Sequence, residues 1–194
     1  MKRGGLKIYL FRHGQTTFNR DSRFTGLLDA KLTSLGERQA RTIANKLKNK
    51  KFQVAFQTKL SRSKDTLRPV LENHPECVVV VEDNRMIERD YGKISGKLHS
   101  TIVGKYGQDQ YESWHRGYYP KDRPPKGESF SDVEKRVRSF ILDLKKFMKK
   151  YQVNVAISAH GNSIRLFRKI MESATVKETV SWKIPYDKVF EYDI

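Results

Sequence analysis

The chain has 194 residues, with 39 lysines and arginines against 22 aspartates and glutamates, for a formal net charge of +17. Hydrophobic residues make up 37%, enough to build the core of one domain. No stretch approaches the roughly 20 apolar residues that cross a bilayer, and the single Cys77 excludes an internal disulfide. Nothing near the start reads as a secretory signal, so a cytoplasmic protein with no membrane partner is expected. The charge alone would admit nucleic acid. The lysines, however, fall on outer helix faces, as at Lys46, Lys48, Lys50 and Lys51 or Lys145, Lys146, Lys149 and Lys150. No stacking aromatics interleave them, and no nucleic-acid partner is expected.

Taken in order, Leu6–Phe11 predicts a strand, followed by a long loop over 12–31. Thr33 or Ser34 predicts a helix cap, with Glu37 at capping-box distance from Ser34, and the helix runs to about Lys50. Phe52–Gln57 predicts a second strand, a helix follows to near Asn73, and Glu76–Val81 predicts a third strand. The stretch 82–128 is irregular, polar and aromatic, with one or two short helices between His99 and His115; it reads as an active-site cover. A long amphipathic helix spans about 129–150, with Val133, Val137, Phe140, Ile141, Leu144, Phe147 and Met148 on one face. A strand at 153–159, helices near 162–171 and 176–180, and a last strand at Lys188–Tyr192 complete the pattern. Strands alternating with helices predict an α/β chain: a three-layer α/β/α sandwich with a mostly parallel sheet, as a single catalytic domain over 1–194.

Two His-Gly pairs stand at strand ends, Arg12-His13-Gly14 and Ala159-His160-Gly161-Asn162. Open α/β sheets bind ligands at the carboxyl ends of their strands, so the two histidines can meet in one crevice. A neutral imidazole can attack phosphorus, an adjacent guanidinium matches phosphoryl oxygens, and glycine lets backbone N–H groups approach an anion. The nucleophile needs a free lone pair, so its other ring nitrogen should donate to a backbone carbonyl.

Further segments are Gln15-Thr16-Thr17-Phe18-Asn19, Arg23-Phe24-Thr25-Gly26, Leu60-Ser61-Arg62, Glu88-Arg89-Asp90-Tyr91-Gly92, Lys105-Tyr106-Gly107, Gly127-Glu128-Ser129 and Ser163-Ile164-Arg165. With these, the chain resembles the histidine phosphatase superfamily over nearly its whole length. Within the superfamily it is most similar to the cofactor-dependent phosphoglycerate mutases. The resemblance implies that His13 becomes phosphohistidine, that Arg12, Arg62 and a positively charged His160 hold the phosphoryl group, and that Glu88 is the general acid and base. It implies further substrate contacts at Asn19, Thr25, Gly26 and Asn162, and anchors for carboxylate or second phosphate at Arg89, Tyr91 and Arg116. The implied reaction interconverts 3-phosphoglycerate and 2-phosphoglycerate in glycolysis and gluconeogenesis, primed by 2,3-bisphosphoglycerate and without a metal. The implied partner is thus a small phosphorylated glycerate, and the family's habits leave a homodimer open.

Some positions depart from the mutase pattern. Gln15-Thr16 and Phe18 stand where Glu-Ser and tryptophan are usual. His99 replaces a lysine, with Lys97 two residues away as a substitute, and His115 replaces an arginine. The tail that usually closes the site is reduced, since the chain runs only to Ile194, which should admit water. The alternative to a mutase is therefore a broad-specificity phosphomonoesterase acting on small esters.

Overall fold

The computed structural model describes residues 5–194, so the first four residues of the expected 1–194 unit lie outside it. Among the described residues, five strands form one sheet in the order β3-β2-β4-β1-β5: β1 is Lys7–Arg12, β2 Val54–Gln57, β3 Val79–Glu82, β4 Val155–Ala159 and β5 Val189–Asp193. Four are parallel, and β5 runs antiparallel along the free side of β1. Every residue of β4 is buried, as a central parallel strand covered on both faces requires.

Alternation along β1 divides the core in two. Ile8 and Leu10 face one layer, where α6 (Phe130–Tyr151) and α7 (Gly161–Met171) supply Val137, Phe140, Leu144, Ile164 and Phe167. Tyr9 and Phe11 face the other, where α2 (Ser34–Leu47) and α3 (Ser61–Leu71) supply Ile43, Leu47, Leu67 and Val70. The result is the expected α/β/α sandwich. Its third strand begins three residues later than the valine run suggests, because Cys77 and Val78 precede any pairing with β2. The 12–31 stretch contains a single-turn helix, α1 (Thr17–Arg20), capped by Thr16. The cap of α2 is Thr33, whose Oγ1 accepts the Gly36 N–H, so the Ser34–Glu37 capping box does not form.

The register of β1 on β4 sets Arg12 beside Ala159, so His13 and His160 leave the sheet next to each other. A small separate core lies beyond these strand ends. It joins Phe24 to Tyr91, Ile94, Ile102 and Trp114 from the 82–128 stretch, which contains α4 (His99–Tyr106) and α5 (Gln108–Arg116). Main-chain bonds tie the two segments: Phe24 N–H to the Lys97 carbonyl, Gly96 N–H to the Phe24 carbonyl and His99 N–H to the Ser22 carbonyl. The last two helical turns of the chain are α8 (Val176–Ser181).

The loop after β1 sits directly on the first turn of α2. A Cβ on Gly36 would lie 2.1 Å from the Gln15 carbonyl oxygen, and one on Gly14 would lie 2.2 Å from the Gly36 carbonyl oxygen. Thr33 N–H also donates to the Gln15 carbonyl, and Gly14 N–H to Thr66 Oγ1 at 3.0 Å. In an open helix, Gly→Ala stabilises by about 1 kcal/mol. Here Gly36→Ala should instead destabilise by about 1–3 kcal/mol, as overpacking does. A lowered urea midpoint at constant m-value would show it, and an unchanged midpoint would refute the contact.

Candidate active site

His13 and His160 are buried with ring centroids 5.0 Å apart, and their ring nitrogens and a carboxylate oxygen of buried Glu88 all lie within 4.8 Å of one another. His13 Nδ1 lies 2.7 Å from the Gly14 carbonyl, which fixes Nδ1 as the protonated nitrogen and leaves the lone pair on Nε2. Burial, then the charges of Arg62 and Arg12, hold this imidazole neutral by pushing its pKa well below the usual value. His160 Nε2 meets Thr58 Oγ1 at 2.8 Å. Burial, followed by Arg62 and His13, pushes its pKa well down too. In the free protein His160 is therefore a neutral group and not the cation anticipated from sequence.

Near His13 several buried polar atoms have no partner. Among the described residues, the buried side-chain nitrogens and oxygens without a partner are Arg12 Nε, Thr25 Oγ1, Arg62 Nε, His160 Nδ1 and His74 Nε2. All but the last belong to residues expected at the site. Buried polar atoms are rarely left unpaired, so an unpaired group of this kind marks a place for a ligand with several acceptor oxygens. Arg62 is aimed by two backbone carbonyls, of Gly26 and Leu28, each at 2.8 Å. Burial brings its pKa down to about 10, so it remains charged near neutrality. Gly26 takes φ +53°, a left-handed conformation that turns its carbonyl to Arg62.

The floor opens into a cleft of about 220 Å³ walled by Asn19, Phe24, Glu88, Tyr91, His99, His115, Arg116 and Asn162, together with Arg23, Arg165 and Tyr186. Glu88 Oε1 accepts N–H bonds from Arg89 and from Asn162 at the start of α7. The Asn162 side chain joins Tyr91 Oη, at 3.1 Å, to Arg165 Nη1, at 2.7 Å. Three guanidinium groups are set by alternate carbonyls of one short segment: Arg116 by Val180, Arg165 by Trp182 and Arg12 by Ile184. Arg12 also lies 4.0 Å from the Tyr186 ring centroid.

Two residues expected to contact substrate do not face the cleft. Arg89 is fully buried and spends its guanidinium on the backbone carbonyls of Glu128, His115 and Trp114. Lys97 is exposed and does not line the cleft, because its backbone is tied to Phe24 in the bridge between loop and cover. His99 and His115 do line it, yet neither restores the missing charge. His99 stacks on Phe24 at 4.2 Å with Nδ1 on Tyr111 Oη, and burial lowers its pKa. His115 is driven down to about 3 by burial and by neighbouring Arg116. Sequence reasoning gave no site role to Arg165 or Thr58. Arg165 stands three residues after Asn162, one helical turn on, which is the signal that could have found it.

The His13, Glu88 and His160 donors could in principle surround a cation. The charges of Arg62 and Arg12 already depress both imidazoles and oppose a cation between them. A wider groove of about 750 Å³ between α2 and α3 is walled by Lys31, Glu37, Arg41, Asp65, Arg68 and Glu72. None of these is buried and no orphaned donor points there, so it lacks the features of the cleft.

A family model described as the histidine phosphatase superfamily (branch 1) matches residues 8–193. A 2,3-bisphosphoglycerate-dependent phosphoglycerate mutase 2 of Gloeobacter violaceus is 35% identical over 183 residues, covering 92% of this chain and 81% of its own. Among solved structures, a mycobacterial glucosyl-3-phosphoglycerate phosphatase is 26% identical with a TM-score of 0.77, over 92% of this chain and 84% of that one. An α-ribazole phosphatase from Shigella flexneri reaches a TM-score of 0.83 over 97% of this chain and 91% of its own, at 22% identity, a likeness of fold alone.

The depressed imidazoles make the free protein acid-sensitive. A histidine whose native pKa lies below its unfolded value stabilises fully above about pH 6.5, and that contribution is lost as the pH falls. With a native value of about 3, His115 alone should cost about 2 kcal/mol between pH 7 and pH 5. Urea unfolding at the two pH values should show a lower midpoint at pH 5, and His115→Asn should remove a comparable part of the drop. A drop left whole by that substitution would contradict the assignment.

Proposed function

The chain belongs to the histidine phosphatase superfamily, and on that premise we propose that it is a phosphomonoesterase that hydrolyses small anionic phosphate esters through a phosphohistidine at His13. One observation carries the reading: buried polar atoms of Arg12, Thr25, Arg62 and His160 stand without partners in one site with an imidazole held neutral, its lone pair on Nε2.

In the first half-reaction His13 Nε2 attacks phosphorus and the ester P–O bond breaks. Glu88 gives its proton to the departing oxygen; Oε1 is engaged by the Arg89 and Asn162 N–H groups, which leaves Oε2 for the transfer. Arg12 and Arg62 offset the charge on the equatorial oxygens, and His160 donates from Nδ1 while Nε2 accepts the Thr58 hydroxyl proton. In the second half-reaction water attacks phosphorus, its proton passes to Glu88, and the P–N bond to His13 breaks. Arginine supplies the positive charge, and we read the chemistry as free of metal. The cleft's volume and its Arg116 and Arg165 edge suit a short ester with a second acidic or hydroxylated group. Asn19, Gly26 and Tyr91 complete the wall, and the 82–128 stretch serves as its cover over one catalytic domain. The lone Cys77 supports a cytoplasmic setting.

The neutral character of His99 and His115, and the commitment of Arg89 to backbone carbonyls, favour water over a second phosphoglycerate as acceptor. The second reading is a 2,3-bisphosphoglycerate-primed phosphoglycerate mutase, favoured by the 35% identity to a protein of that name.

The test supplies 3-phosphoglycerate and simple phosphomonoesters with and without 2,3-bisphosphoglycerate, and compares phosphate release with 2-phosphoglycerate formation. Phosphate release that does not depend on 2,3-bisphosphoglycerate is expected. Isomerisation stimulated by that compound and exceeding hydrolysis would put the mutase reading in its place. His13→Ala should abolish turnover and the acid-labile phosphoenzyme together; activity surviving in that variant would remove His13 as nucleophile.

A further inference from the structure

The side chain of Arg136, on the second turn of α6, turns inward and spends every N–H on the segment that carries Glu88 and on the carboxylate of Glu128. Its Nε–H donates to Glu128 Oε1 at 3.0 Å. Nη1 donates to the carbonyls of Arg85 at 2.7 Å and Ile87 at 2.8 Å. Nη2 donates to the carbonyl of Glu88 at 3.1 Å and to Glu128 Oε2 at 3.0 Å. A guanidinium has five N–H donors in a fixed plane, and all five are used here.

Glu128 closes the clamp from the other side. Its Oε2 accepts the Asp90 N–H at 2.9 Å, its own N–H donates to the Asp90 carbonyl at 2.9 Å, and its carbonyl accepts Arg89 Nε at 2.6 Å. Residues 85–90 have no helix or strand beyond the single 3-10 turn Asn84–Met86. The main chain around Glu88 is therefore fixed by side chains, chiefly by one arginine and one glutamate. The side chain of Arg85, three residues before Glu88, pairs outward with Asp83 and Asp143 and plays no such part.

We infer that Arg136 is a positioning residue for proton transfer: with Glu128 it holds the main chain at 85–90 so that the Glu88 carboxyl meets the leaving oxygen. The inference rests on the reading of Glu88 as the general acid. Geometry of this kind matters only where a proton must move. An alkyl ester leaves as a strongly basic alkoxide and needs that proton, whereas a p-nitrophenyl ester leaves as a stable phenolate and does not. A lysine in place of Arg136 keeps the charge but cannot serve acceptors spread along four residues.

The experiment compares kcat/KM for glycerol phosphate and for p-nitrophenyl phosphate in the full chain, as wild type, Glu88→Gln and Arg136→Lys. This ratio reports the steps through phosphohistidine formation and excludes its later hydrolysis. Displacing the acid by a fraction of an ångström to an ångström should lower the alkyl value about 10²-fold and the aryl value by no more than about threefold. The phosphohistidine should then accumulate during aryl turnover, because water attack still needs Glu88 as base. Glu88→Gln should give the same split. If it lowers both esters equally or neither, the Glu88 reading fails. If Glu88→Gln splits the esters and Arg136→Lys lowers both equally or neither, the inference about Arg136 is overturned with the reading intact. Should Arg136→Lys not fold, Glu128→Gln weakens the same clamp from its carboxylate side and is held to the same criterion.

Discussion

Arg62 has no exposed surface, and among the described residues no carboxylate is bonded to it. Burying a guanidinium costs on the order of several kcal/mol, and two carbonyl dipoles with the through-space pull of Glu88 and Asp29 return only part of that, since its pKa still falls. The rest of the site follows from this buried charge. It helps keep both imidazoles neutral, and so keeps a lone pair on His13. It forces the loop at 25–28 to offer carbonyls, which Gly26 does through its left-handed conformation. An anion entering the cleft meets charge that the fold has already desolvated, so its binding energy need not go into reorganising the protein.

The cleft is divided electrically. Near His13 it is cationic, with Arg12 and Arg62; farther out, Phe24 of the loop meets Tyr91 and two neutral imidazoles of the cover. Arg23, Arg116 and Arg165 lie along its edge. The cover holds this arrangement through its own small core around Phe24, separate from the two layers that flank the sheet. Under the proposed function, discrimination among esters can therefore change by repacking Phe24, Tyr111 or Trp114 while the floor around His13 stays as it is.

The sandwich and its floor were legible in the sequence because they rest on local signals. Hydrophobic runs mark β1 and β4, and the His-Gly pairs mark their ends, so register alone brings His13 to His160. Glu88, Arg62 and Asn162 were legible through resemblance and land beside that floor. Arg89 and Lys97 were misplaced for a common reason. Residue type gives no indication of whether a charged side chain meets solvent, a ligand or backbone carbonyls, and for Arg89 it is three carbonyls from residues 114, 115 and 128. Thr58 and Arg136 stayed hidden because the partners that place them include ones 102 and about 50 residues away, and Arg165 showed only its Asn162 partner one turn back, the other lying 17 residues on. Of the two caps the sequence offered, Thr33 and Ser34, the fold uses Thr33, since the close approach of Gly36 to Gln15 sets where α2 begins.

The segment that receives Arg116, Arg165 and Arg12 does so with main-chain oxygens at every second residue, Val180, Trp182 and Ile184. No side-chain atom takes part in the three bonds, so the bonds themselves ask for spacing and not for residue type, while the side chains of Val180, Trp182 and Ile184 answer separately to the core they pack on. A single inserted or deleted residue between 180 and 184 is another matter, since it displaces the carbonyls beyond it from the end of α8 and releases the guanidinium groups they hold. The constraint is one of length and not of identity. It would leave little trace in residue-by-residue similarity and a sharp one in where gaps are tolerated.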